Sequence, residues 1–294
     1  ALVLADRAAG SVPLGRLRER ARTAAGVLAA LRTVELRAAR LAVTAGSAGG
    51  ERRIRLRLPM PRQAWLVVPW RDATALLRAP SRLGRAVLLA VPALLCGGLA
   101  HGIGSRPSVP VTAVALVFGY LALAQLLEPA RIETDDTRRA AWSPYPLASL
   151  MLRHAVVPTA LGLLVALLGA GAAALAGGGA AVWLAPAAVP ALVAAGLVNA
   201  CRGAMRRDLM YRSPTPGGGG GLGLALFVGW YAAGPAAAVV ALTLPFAAAL
   251  RSQSAAGCEQ AAVLGVVAAA VLLAWARSRA GELTGLHRVG GGAD

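Results

Sequence analysis

Few residues in this chain are suited to chemistry. Asp135 and Asp136 are adjacent carboxylates, a hard oxygen pair of the kind that holds a divalent cation. A transferase using them would need a second Asp-rich motif at matching depth, and the sequence has none. Cys96, Cys201 and Cys258 are isolated, with no CxxC or Cys/His spacing for a metal site or a disulfide framework. They read as small apolar packing residues. His101 and His154 stand at the boundaries of apolar runs. His101 is a candidate proton site, although an interfacial histidine is more commonly a hydrogen-bonded surface group. Asn199 and Gln125 are strongly polar side chains within the apolar spans and are expected to hold helices together. There is no G-x-S-x-G elbow, no H-E-x-x-H and no carboxylate pair inside one apolar run. Five glycines at 217–221 follow Ser213-Pro214-Thr215-Pro216. Without a Lys-Ser/Thr pair or a preceding strand they form a hinge, not a phosphate cradle. The chain is therefore expected not to be an enzyme and to use no cofactor and no metal.

The elements that must position these residues are read from the basic side chains. All 30 are Arg, and none is Lys. Between them lie uncharged runs at 86–105, 107–127, 155–201, 213–250 and 260–276. About 20 residues at 1.5 Å each cross a ~30 Å hydrocarbon core. The run 155–201 is long enough for two spans, broken at Gly177-Gly178-Gly179. Six spans follow, at about 86–104, 108–127, 155–175, 181–200, 222–249 and 260–276. The Arg-rich connections alternate with Arg-poor ones, placing 28 arginines on one side and 2 on the other. Arg excess near span ends marks the cytoplasmic side. The expectation is an all-α, multi-pass protein of the cell membrane with both termini cytoplasmic. Mean hydropathy of +0.62 agrees. A net charge of +17 in a soluble protein would point to nucleic acid. Here no aromatic-basic interleaving supports base stacking, so the arginines are assigned to topology and to anionic lipid.

Four regions are expected: a basic cytoplasmic segment 1–65, an amphipathic interfacial helix 66–85, a six-span domain 86–280 and a cytoplasmic tail 281–294. Residues 14–43 carry leucines and alanines at helical steps, and 53–58 alternate with period two, as a short strand would. In 66–85, Ala73, Leu76, Leu77 and Leu83 are expected toward lipid, with Trp65 and Trp70 at the boundary. Arg71, Arg78, Arg82 and Arg85 reach the headgroups. The loop 128–154 combines Glu133, Asp135, Asp136, Arg138 and Arg139 with a Trp142-Ser143-Pro144-Tyr145-Pro146 corner. Prolines on both sides of Tyr145 stiffen that corner, and the loop reads either as a docking surface or as a solvated connector. Gly234-Pro235 predicts a kink or break in span five, and the segment 247–259 either crosses or dips back into the membrane.

This plan resembles the permease subunit of ABC-2-type exporters. Arg71-Asp72-Ala-Thr-Ala-Leu-Leu-Arg78-Ala-Pro80 is similar to the entry helix of those permeases, and the 128–154 loop occupies the place of their coupling helix. The resemblance covers about residues 66–280. It implies a separate ATPase subunit, a homo- or heterodimer of six-span units, and alternating access between them. Coupling would fall to Glu133, Asp135, Asp136, Arg138, Arg139, Trp142 and Tyr145, with Trp70, Arg71, Asp72 and Arg78 on the interfacial helix. Two departures stand. Segment 1–65 exceeds what the family plan needs, and the region after span five has no charged re-entrant signature. The longer start, which begins at Ala1 without Met, fits the second half of a longer exporter-like protein, and the Ala-, Gly- and Arg-rich, lysine-free composition resembles that of high-GC actinobacteria. The competing readings are a membrane scaffold recruiting partners through its basic N-terminal segment, and a lipid-modifying enzyme using Asp135 and Asp136.

Overall fold

A computed structural model describes residues Gly15, Arg18, Ala21, Ala24, Ala25, 59–102, 109–135, 143–203, Leu209 and 221–290. The chain divides into two units, Ala1–Arg55 and Leu56–Asp294. The five described residues of the first are helical and exposed. The alternating stretch 53–58 lies outside the described residues.

The second unit is built of helices, with no strand among its described residues. A 3-10 turn, Ala64–Leu66, leads into α1 (Val67–Arg78), α2 (Pro80–Gly102), α3 (Val109–Leu126) and α4 (Glu128–Asp135). Then come α5 (Leu147–His154), α6 (Val156–Leu175), a 3-10 turn at Ala180–Trp183, and α7 (Leu184–Ala200). The last three are α8 (Gly221–Tyr231), α9 (Ala233–Ser252) and α10 (Ala255–Gly290). Five stretches are long and apolar enough to cross a membrane: α3, α5 with α6, the 180–200 stretch, α9 and α10. Counting the bent α1–α2 pair as one makes six. This is the pattern of a multi-pass membrane protein.

The bend between α1 and α2 is 89°. Pro80 opens α2, where its missing N–H costs nothing, and it bars Ala79 from helical geometry; Ala79 has φ −123° and ψ 68°. The amphipathic stretch expected over 66–85 is thus divided, with α1 stopping at Arg78. Leu76, expected toward lipid, is instead turned into the bundle, whereas Leu77 is exposed.

The sequence assigns 155–175 a single span, but the apolar path starts earlier, at Leu147, and is interrupted only at Ala155. Pro158 has no N–H for the His154 carbonyl, which explains the step. Gly177, at φ +87°, closes α6 in the left-handed conformation that favours glycine. α7 is buried on nearly every side, as an all-round apolar helix at a bundle centre should be. It packs against α10, α9, α6 and α3. The break expected at Gly234-Pro235 falls at Ala232, so the span expected over 222–249 is two helices, with Pro235 in the first turn of α9. Beyond it, α9 and α10 meet in a tight turn at Gln253-Ser254, with Gln253 at φ 49°. Segment 247–259 is therefore the ends of two helices, with no re-entrant excursion.

Candidate functional site

Arg71 and Asp72 are neighbours on α1 and point about 100° apart around the helix axis. That divergence lets one helix grip two others. Arg71 Nη2 meets Glu133 Oε1 of α4 at 2.8 Å, an ion pair whose Glu is buried and whose Arg is about half exposed. Asp72 Oδ2 meets His154 Nδ1, at the end of α5, at 2.5 Å. Both partners of this second pair are buried, with His154 1% exposed and Asp72 3%. In a buried, low-dielectric setting such a bond is stronger than it would be in water.

Further bonds fasten the same end of the bundle. Thr134 Oγ1 donates to the Ala200 carbonyl at 2.9 Å, occupying one of the acceptors that the C-terminus of α7 leaves open. The Tyr145 hydroxyl donates to the Ala64 carbonyl at 3.3 Å. The Arg153 guanidinium lies 3.4 Å over the Tyr145 ring, a cation–π arrangement. Nearby, Asn199 Nδ2 donates to the Tyr120 hydroxyl at 3.0 Å, tying α7 to α3. Arg202 stacks 3.9 Å over Tyr231. Burial pushes the Cys201 thiol up to about 12, so it is an inert packing group.

The two sets of residues singled out in the sequence therefore meet. Arg71 pairs with Glu133 and Asp72 with His154, while Tyr145 bonds the Ala64 carbonyl just ahead of α1. Trp70 is half-buried on α1, Arg78 ends that helix, and Asp135 is exposed at the end of α4. Asp136, Arg138, Arg139 and Trp142 lie outside the described residues. His154 is the member the sequence did not place. The available signal was Asp72, the single acid of an arginine-lined helix, and its need for a partner once buried.

Buried polar atoms without a hydrogen-bond partner among the described residues concentrate here: Trp70 Nε1, Asp72 Oδ1, Arg153 Nη1 and His154 Nε2. Such atoms cluster where a structure is completed by something else. A histidine oriented by aspartate also occurs in nucleophilic catalysis. Here the imidazole is enclosed, and its second nitrogen meets no hydroxyl or thiol among the described residues. No group of three His, Cys, Asp or Glu side chains could hold a metal among those residues. The arrangement ties α1 to α4 and to α5. No protein-family model, curated protein or solved structure matches this chain.

Proposed function

We propose that the chain is the membrane-spanning permease of an ATP-driven exporter of the ABC-2 type. The α1–α4–α5 end would take the push of a separate ATPase. The observation that carries this reading is the double tie of α1, through Arg71–Glu133 and Asp72–His154. It links the entry helix to both helices of the 128–154 region, the elements that the resemblance assigns to ATPase contact. A displacement of α4 or of the Tyr145 corner would pass to α1, and across the Ala79 bend to α2. Through α5 it would pass directly into α6. Nucleotide-driven closure would then rock two six-span units between inward- and outward-open states. In this reading both termini are cytoplasmic in the cell membrane. The exposed arginines meet anionic lipid, and no nucleic acid or cofactor is involved.

Glu133→Arg tests the tie by setting two guanidinium groups against each other. Membrane vesicles containing the chain and its ATPase are expected to lose chain-dependent ATP hydrolysis in this variant. Unchanged hydrolysis would contradict the coupling role. The second reading is a scaffold, favoured by the separate unit Ala1–Arg55. It predicts that deleting 14–58 removes partner binding while Glu133→Arg is silent.

A further inference from the structure

A cleft of about 660 Å³ runs between α2, α3, α6 and α7. Along α2 its wall extends from Leu83 to Gly97, about 20 Å at 1.5 Å per residue. The lining carries no charged side chain. Small residues open it: Ala122, Ala166 and Ala170 are buried but leave space between the helices. One hydroxyl interrupts the apolar wall. Thr112 is 4% exposed, lines the cleft, and its Oγ1 has no hydrogen-bond partner among the described residues. It sits in the first turn of α3, at the end of the bundle away from the Asp72–His154 pair.

Size decides the occupant. A transmembrane helix about 10 Å across and as long as the cleft would displace on the order of 1,500 Å³, more than twice the space available. A volume of this order with apolar walls and one polar group suits a small apolar ligand. A single hydrocarbon chain is long and thin enough to follow it. An empty apolar cleft of this length beside bilayer lipid would forfeit dispersion contacts along both walls, and a buried hydroxyl left unpaired is costly. An acyl ester meets both demands, since its carbonyl accepts from Thr112 and its tail fills the rest.

We propose that this cleft is a binding site for one acyl chain of a glycerolipid. The ester lies at Thr112, and the tail runs toward Leu83 and Leu126. The site is independent of the permease reading and needs only that the helices be in a membrane.

The test uses the full chain in phosphatidylethanolamine–phosphatidylglycerol vesicles doped with phosphatidylethanolamine carrying a diazirine at the end of one acyl chain. After photolysis, labelled peptides are mapped by mass spectrometry. The expected label concentrates on the Leu83–Val87 wall and exceeds that on Val263, Val266 and Val271, which are exposed on α10. Ala166→Phe fills the cleft and should remove this label while leaving the α10 label unchanged. Gly97→Leu should reduce it too, and is the gentler variant because nothing lies within 4 Å of an added Cβ. Thr112→Val should lower it about fivefold, the worth of one net hydrogen bond. Label spread equally over the cleft and α10, or cleft label unaffected in Gly97→Leu and Thr112→Val, would overturn the proposal.

Discussion

His154 and Asp72 have the largest consequences at the residue scale, because each is buried against the other. Removing one partner of a buried pair strands the other and costs about 3–5 kcal/mol. His154→Ala and Asp72→Ala should each lower the thermal midpoint of the purified protein, and the double variant should cost less than their sum. Additive losses would show that the pair is not coupled. Arg71→Ala should cost about 1–3 kcal/mol, because the Arg is half in solvent but its loss leaves the buried Glu133 without its partner. Cys201 gives a pH signature. Its folded pKa of about 12 lies above the ordinary 9.0, so the unfolded chain releases this proton first as pH rises. The contribution to stability is intact below pH 9 and lost between pH 9 and about 12. The midpoint of the wild type should fall more steeply over that window than that of Cys201→Ala. Parallel curves would show that the thiol is not buried as described. The arginine pattern made Arg71 legible as a boundary residue, but its pairing with Glu133 was not, since 61 positions separate them and only the fold brings them together.

Apolar length made most of the helices legible at the element scale, because runs near 20 residues leave one solution in hydrocarbon. Breaks were less legible. The Pro80 bend and the Ala155 step each depend on a single proline inside a favourable pattern, the first by restricting Ala79 and the second by a missing N–H. The division of span five was signalled by Gly234-Pro235 but lies two residues earlier. Packing around α7 could not be read at all, since an all-round apolar helix has no face to orient it. Close approach now explains one glycine. A Cβ on Gly234 would come 2.6 Å from the Ala195 carbonyl oxygen, whereas one on Gly84 would meet nothing within 4 Å. Gly234→Ala should therefore destabilise by about 1–3 kcal/mol as α9 is forced from α7. Gly84→Ala should be neutral or stabilise by up to about 1 kcal/mol through helix propensity. Equal effects in thermal unfolding would refute the α7–α9 contact.

For the whole molecule, the arginine asymmetry predicts which turns face the cytoplasm. A cysteine at Ser254, in the α9–α10 turn, should react with impermeant maleimide added outside intact cells. A cysteine at Ser143 should react only after permeabilisation, and the opposite result would invert the chain in the membrane. In the proposed function this helix bundle works under a separate ATPase seated on the α1–α4–α5 end. The most direct measurement is affinity purification of the chain from its native membrane in mild detergent, with mass spectrometry of the bound proteins. A soluble subunit carrying a phosphate-binding Walker A loop should be retained by the wild type and lost in Glu133→Arg. Recovery of the intact, folded chain with no such ATPase would contradict it.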